Sequence, residues 1–112
     1  MNRITIIGNL TRDPDLRTTQ SGIAVCSFPV AVNRRRKVEG QPEADYFRVT
    51  VWRAAAESCG KYLAKGRKVA VVGAVSVQTY EGKEGDTRAS LEIEADDVEF
   101  LTPKDGGGSP ER

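Results

Sequence analysis

Residues 45–52, with the sequence DYFRVTVW, alternate between two kinds of side chain along their whole length. Successive side chains of a strand point to opposite sides, so every second residue shares a face. One face is apolar and the other mixes aromatic and polar groups. The first consists of Phe47, Val49 and Val51, and the second of Tyr46, Arg48, Thr50 and Trp52. We predict a strand whose apolar face is buried in a hydrophobic core.

The second face of this strand has two interpretations. A tryptophan and a tyrosine on an open surface invite association. Either a helix or another subunit covers Tyr46 and Trp52, or the two rings form a surface on which flat groups such as nucleic-acid bases stack. The alternation by itself leaves both interpretations open.

Period-two patterning on both sides of this segment predicts an all-β fold. The predicted strands cover about residues 4–7, 23–33, 45–52, 68–80 and 89–100, and a three-to-four-residue apolar spacing predicts a helix over residues 54–64. Five strands with one short helix between strands 3 and 4 are typical of a closed or partly open antiparallel barrel. We expect a five-stranded Greek-key barrel of the oligonucleotide-binding (OB) type.

Prolines and glycines refine the boundaries of these elements. The first strand is expected to stop at Gly8, and residues 13–15 to form a turn. Pro29 cannot donate a ladder hydrogen bond, so the second strand is expected to be an edge strand or bulged there. Gly66 is expected to end the helix, and Gly73 to allow a bend in the fourth strand.

Apolar positions within the elements predict which side chains form the core. In the second strand the core-facing row is Ala24, Cys26, Phe28, Val30 and Val32. In the helix the three-to-four spacing fits Ala55 or Ala56, Cys59, and Tyr62 or Leu63, and Tyr62 is expected to be a core residue. In the last strand the apolar residues change parity at Asp96 and Asp97, which a β-bulge would explain. Residues 81–86 are expected to form a charged hairpin loop.

Composition limits the kind of protein this is. The chain has 112 residues, enough for one domain, expected over residues 1–101, with a disordered segment over residues 102–112. It contains no histidine, which removes the usual nucleophile pairs and imidazole zinc sites and makes most familiar hydrolase chemistries unlikely. The longest apolar runs have four residues, too short for a membrane span. A cytoplasmic protein with no membrane partner is expected.

The two cysteines, Cys26 and Cys59, show no C-x-x-C spacing. Two buried thiols in a reducing compartment are expected, with a single bridge between them as the alternative.

The net charge of +1 hides an uneven distribution. Residues 1–80 contain thirteen basic and six acidic side chains, a net of +7, whereas residues 81–112 contain four and ten, a net of −6. Such asymmetry between two parts of a chain favours a nucleic-acid or protein partner.

The densest basic run follows the second strand. It consists of Arg34, Arg35, Arg36 and Lys37. Such a run can be a solvated loop. It becomes more informative beside Arg48, Arg53 and the aromatic residues, because binding of unpaired strands requires cations for phosphates and aromatic rings for bases.

Other arrangements of charged or small residues carry no chemistry of their own. The carboxylates near the end of the last strand alternate with apolar residues, as on a solvated strand face, so no metal site is expected. The glycines form no dinucleotide-binding or P-loop turn, so no cofactor is expected.

Several separated motifs resemble bacterial-type single-stranded DNA-binding proteins, in the right order and over about residues 2–101. They are NRITIIGNLTRDPDLR at residues 2–17, GIAVCSF at 22–28, VAVNR at 30–34, YFRVTVW at 46–52 and YLAKG at 62–66. The resemblance implies an OB-fold homotetramer that wraps single-stranded DNA in the bacterial nucleoid, without catalysis and without marked sequence preference.

The resemblance also implies functional residues. Its stacking positions fall on Tyr46, Trp52 and Tyr80. Its phosphate-contact positions fall on Arg3, Arg17, Arg48 and Lys65, to which the basic residues of this sequence add Arg34, Arg35, Arg36, Lys37 and Arg53. A further stacking aromatic of the family falls near Arg36, where a guanidinium could stack instead.

The end of the chain departs from the family. Members finish with an acidic tip that recruits replication and repair proteins, whereas this chain ends in GGGSPER, so recruitment through such a tip is not implied. Two alternatives stay open at this point. One is another nucleic-acid module of the same fold, such as a primosomal accessory protein or an RNA binder, and the other is a protein–protein adaptor barrel.

Overall fold

Six strands and one helix form the part of the chain that the computed structural model describes, residues 1–36, 39–40 and 43–101. In chain order they are β1 (Ile4–Leu10), β2 (Asp15–Thr18), β3 (Ala24–Asn33), β4 (Ala44–Trp52), α1 (Arg53–Tyr62), β5 (Lys68–Glu81) and β6 (Thr87–Phe100). The predicted disordered segment, residues 102–112, lies outside the described residues, as does Lys37.

Five of the strands close into a ring. They pair in the order β1, β5, β6, β4, β3, and pairing of β1 with β3 completes the barrel. The short β2 adds to β3 outside this ring. The all-β, OB-type barrel is therefore confirmed, with its helix between the third and fourth strands of the ring, β4 and β5.

One pairing in the ring differs from the expected antiparallel barrel. β4 and β6 run parallel, from Phe47 opposite Leu91 to Thr50 opposite Glu94. Strands joined by a tight turn must be antiparallel, but α1 and β5 separate these two in the chain and allow a parallel return. This pairing brings the outward-facing rows of β4 and β6 side by side.

The core has the predicted alternation. From β3 it takes Cys26, Phe28 and Val30, and from β4 it takes Val49 and Val51. β1, the helix with its C-cap residue, β5 and β6 complete it with Ile6, Leu10, Ala56, Cys59, Leu63, Val69, Val71 and Ile93. Because these side chains occupy one parity of each strand, the other parity of the same strands faces outward.

The first strand does not stop at Gly8, as expected, but continues to Leu10. A Cβ at Gly8 would collide with the backbone carbonyl oxygen of Ala31. The glycine therefore permits a close approach of β1 to β3 rather than a chain break. β2, which follows the predicted turn, was missed because all four of its residues are exposed and show no apolar alternation.

The expectation that β3 is an edge strand or bulged at Pro29 is wrong. β3 pairs with β4 through Pro29 without a change of register, and its other side is also occupied. On that side β2 pairs as far as Ser27 and β1 begins at Val30. The Pro29 carbonyl accepts the Thr11 N–H at 3.1 Å. The missing proline N–H thus falls in the gap between two partner strands.

The helix begins at Arg53 and ends at Tyr62. Tyr62 is not a core residue as predicted, because its side chain is 39% exposed and packs 6.4 Å from the Phe100 ring. The buried stripe runs through Ala56, Cys59 and Leu63, and Tyr62 lies about 100° around the helix from Leu63. Gly66 (φ 91°) lies in the turn beyond the helix, and its N–H donates to the Leu10 carbonyl.

The predicted bend in β5 and bulge in β6 are one feature. Val72 pairs with Asp97 but Gly73 pairs with Ala95, which leaves Asp96 as the extra residue. Both cysteines are buried free thiols, as expected. Burial raises the pKa of Cys59 to about 12, with a contribution from Cys26, and the pKa of Cys26 to about 11, with a contribution from Asp15. None of the described helices is long and apolar enough to span a bilayer.

Candidate nucleic-acid interface

The outward row of β4 lies on a continuous surface with the outward rows of β6 and β5. Arg48 is opposite Glu92 of β6, which in turn is opposite Ser76 of β5. We call this surface the aromatic face. Its members are Tyr46, Arg48, Thr50 and Trp52 of β4, Ser90, Glu92 and Glu94 of β6, and Ser76, Gln78 and Tyr80 of β5.

The three rings predicted to stack all lie on this face and are open to solvent. Tyr46 is 61% exposed, Tyr80 is 52% exposed and Trp52 is 39% exposed. No described helix or strand of the chain covers them, so the interpretation in which a helix of the same chain buries Tyr46 and Trp52 is wrong. Exposed rings on a rigid sheet are suited to stacking on other flat groups.

Arg48 lies at the centre of the face between two clefts. A cleft of about 450 Å³ lies between β4 and the segment that leads into β2. Its wall includes Tyr46 and Arg48, together with Arg12, Asp13, Asp15, Ser27 and Pro29. A second cleft, of about 630 Å³, is lined by Arg48, Thr50, Gln78, Thr79, Tyr80, Ser90 and Glu92. The guanidinium of Arg48 is thus within reach of an extended ligand that crosses the face from Tyr46 to Tyr80.

Four of the predicted phosphate contacts have unpaired side chains within the described part of the chain. They are Arg35, Arg36, Arg48 and Arg53. Arg53 follows Trp52 directly and has a left-handed backbone (φ 63°), which non-glycine residues rarely adopt. That conformation turns β4 into α1 and leaves Arg53 exposed beside the indole.

Three other predicted contacts are ion pairs within the chain. Arg17 Nε lies 2.9 Å from Asp15 Oδ2, and Arg3 Nη1 lies 3.3 Å from an oxygen of Asp96 in the bulge. Arg34 donates to Asp45 Oδ1 from Nη2 at 2.7 Å and from Nε at 3.1 Å. Such partly exposed pairs are weak, so a phosphate could replace the carboxylate. These cations are available to a phosphate only in exchange for their carboxylate partners.

Lys65 lies away from the aromatic face as defined, in the turn after α1. Its backbone N–H donates to Asp13 Oδ1 at 2.8 Å, which ties this turn to the segment before β2. Lys65 is exposed, so its ammonium group can contact a polyanionic ligand that continues beyond the first cleft.

Two carboxylates belong to the aromatic face although the sequence suggested only a solvated strand. Trp52 Nε1–H donates to Glu94 Oε2 at 3.2 Å, and Glu92 Oε2 accepts the Ser90 hydroxyl at 3.3 Å. The parity of β6 alone could not reveal this, because it requires the parallel register with β4. Arg12 in the first cleft was also missed. No described cluster of acidic or cysteine side chains could hold a metal ion.

The arrangement can bind an unpaired, flexible polyanion that carries flat groups. The rings offer stacking surfaces, the free arginines offer charge, and the open sheet imposes no fixed shape on the bases.

Comparison with known proteins points the same way. Residues 1–101 match the model of the single-strand binding protein family. The chain is 43% identical over 109 residues to the single-stranded DNA-binding protein of Bacillus cereus. This alignment covers 96% of this chain and 64% of the relative. It is 46% identical over 105 residues to single-stranded DNA-binding protein 1 of Staphylococcus aureus strain MSSA476, in an alignment that covers 93% of this chain and 67% of that relative. For single-stranded DNA-binding protein 3 of Clostridium acetobutylicum the identity is 45% over 102 residues, covering 90% and 71%. The chain spans just under two thirds of the Bacillus cereus relative.

Proposed function

The chain belongs to the single-strand binding protein family, and we propose that its aromatic face binds single-stranded DNA without marked sequence preference. The observation that carries this proposal is the exposure of Tyr46, Trp52 and Tyr80 on one sheet face with Arg48 between them. The protein protects unpaired DNA during replication, recombination and repair in the cytoplasm, and acts by binding rather than by catalysis. The alternatives of an RNA module or a protein adaptor are not favoured by the family match.

The spacing of the rings indicates how a strand of DNA lies on the face. Tyr46 and Trp52 are six residues apart on one strand, which corresponds to about 20 Å. Tyr80 lies on β5, two strands away from β4. The rings are therefore too far apart to hold one base between them, and they contact bases at several points along one chain. Each stacked base contributes about 1–3 kcal/mol irrespective of its identity.

The cations follow the same path. Arg53 adjoins Trp52, Arg48 occupies the middle, and the basic run begins where Arg34 pairs with Asp45, next to Tyr46. Phosphates bound at these points neutralise charge and release counterions, which makes the affinity depend on salt. We include Arg3, Arg17 and Lys65 as outer contacts, and Lys37, outside the described residues, as part of the basic run.

We also propose that the protein assembles as a homotetramer. Apolar side chains remain exposed outside the aromatic face, at Ile7, Leu16, Val77, Phe100 and Leu101. Exposed apolar area of this kind favours association with another protein surface. Light scattering with and without oligo(dT) measures the mass and the stoichiometry together.

Tryptophan fluorescence tests DNA binding, because Trp52 is the only tryptophan. Stacking of a base on the indole is expected to quench its emission as oligo(dT) is added at low salt, with saturation at a defined length. Unchanged emission under these conditions would falsify the proposed site. Competition between DNA and RNA oligomers of matched sequence separates a DNA-binding role from an RNA-binding one.

A further inference from the structure

The indole of Trp52 is held by a carboxylate from a neighbouring strand. Its Nε1–H donates to Glu94 Oε2 at 3.2 Å, across the parallel pairing of β4 with β6. Glu94 lies directly opposite Thr50, two residues before Trp52, so the bond crosses the sheet diagonally. It joins residues that are 42 positions apart in the chain. The hydrogen bond therefore depends on barrel closure.

A carboxylate at this place is unfavourable for binding a polyanion. Glu94 is exposed on the same face as Arg48 and repels phosphates that approach Trp52. Glu92, its neighbour on the face, adds a second negative charge. Because its charge opposes binding, Glu94 can favour binding overall only through a second effect.

That effect is orientation of the ring. An indole on an open sheet can rotate about two side-chain bonds, and its N–H is its only hydrogen-bond donor. A bond to a charged acceptor is stronger than one to a neutral acceptor. Because Glu94 holds its edge, the ring already has a fixed orientation before DNA binds. Less side-chain entropy is therefore lost on binding.

We propose that Glu94 is a positioning residue for Trp52. Its carboxylate fixes the indole edge toward β6 so that the ring face stays available to a base. This inference rests on the proposed DNA binding for its effect on affinity, whereas the hydrogen bond itself can be measured in the free protein.

The first test uses the single indole N–H resonance in the NMR spectrum of the free protein. Glu94→Gln keeps a hydrogen-bond acceptor and removes the charge, whereas Glu94→Ala removes both. We expect the indole proton of Glu94→Ala to move upfield and to exchange faster with solvent, and that of Glu94→Gln to lie between Glu94→Ala and the wild-type protein, because its acceptor is neutral. Equal spectra for the two variants would overturn the proposal.

The second test compares the affinities of the same two variants for a labelled oligo(dT) by fluorescence anisotropy. Because both lack the charge, their difference reports positioning alone. Glu94→Ala is expected to bind about two- to tenfold more weakly than Glu94→Gln. In a Trp52→Phe background, which lacks the N–H, the difference is expected to disappear. Its persistence there would show that Glu94 acts through something other than the indole.

Glu92 provides the matched control. It lies on the same strand and face, but its carboxylate accepts the Ser90 hydroxyl rather than the indole N–H. Glu92→Ala and Glu92→Gln are expected to leave the indole resonance unchanged and to differ little from each other in affinity. If wild-type protein fails to bind oligo(dT) while the indole resonance responds as expected, the proposed function is wrong but the hydrogen bond stands.

Discussion

The interior of the barrel and the aromatic face are two sides of the same strands, and they differ in what surrounds their aromatic rings. Phe28 is 1% exposed and is enclosed by aliphatic side chains from the other strands. Trp52 and Tyr46 remain open to solvent, beside charged groups. Burial makes the interior ring a source of stability, whereas exposure leaves the outer rings free to bind. Substitutions on the two sides are therefore expected to affect different measurements.

The largest effect is expected for Phe28→Ala. Removal of this side chain, the largest fully buried one among the described residues, leaves a cavity, and such substitutions cost about 3–5 kcal/mol in the free energy of unfolding. Urea denaturation measures this loss. The smaller change Phe28→Leu is a second variant in case the first does not fold. For either variant, an affinity for oligo(dT) that falls as steeply as the stability would contradict the separation of interior from face.

The interior thiols are expected to make the protein less stable at alkaline pH. Because burial raises the pKa of Cys59 to about 12, the native state keeps its proton where the unfolded state loses it. Above the ordinary thiol pKa the unfolded state binds fewer protons, so the free energy of unfolding falls as pH rises, by about 1.4 kcal/mol per pH unit for each thiol.

The measurement is urea denaturation between pH 9 and pH 11 for wild-type protein and for Cys59→Ala. The wild-type protein is expected to lose about 2 kcal/mol more than the variant over this range. Because both proteins contain the same tyrosines and lysines, their titration cancels in the difference. Parallel curves would show that Cys59 titrates normally.

Trp52→Ala is expected to have the opposite profile to Phe28→Ala. Loss of a stacking ring costs about 1–3 kcal/mol of binding per site, while the fold stays intact because the indole is partly exposed. Anisotropy of labelled oligo(dT) measures the affinity, and urea denaturation provides the control. Weakened folding together with unchanged binding would assign Trp52 to the structure rather than to the interface.

The smallest effect is expected from the basic run, because its cations sit at the edge of the face. In the test variant, Gln replaces all three arginines, Arg34, Arg35 and Arg36. The slope of log affinity against log salt concentration is expected to become shallower by about 0.7 for each phosphate that the protein no longer neutralises. Arg34 is already paired with Asp45, so its share is the least. The slope is measured from affinities at several salt concentrations. An unchanged slope would mean that the run is solvated in the complex.

Much of the candidate site could be predicted from the sequence. The alternation of residues 45–52 separates Val49 and Val51 from Tyr46 and Trp52, and the structure places these pairs on opposite sides of β4. The parity change near Asp96 likewise corresponds to the observed bulge. Both inferences succeed because side-chain direction in a strand follows from local backbone geometry.

The failures share a different cause. Gly8 suggested the end of a strand because sequence does not show that Ala31 lies against it. Tyr62 suggested a core residue because the helical spacing fits either Tyr62 or Leu63, and only the position of β3 and β4 selects Leu63. The ion pairs of Arg3 and Arg34 also depend on partners brought close by the fold.

The sequence by itself determined which residues of each strand face inward and which face outward, because that division needs only a period of two. It also determined, through its motifs, the family to which the chain belongs. Only the tertiary structure decided that β6 lies parallel to β4 and brings Glu94 to the indole of Trp52. The physical reason is that register between distant strands is set by closure of the whole barrel, which no local pattern specifies.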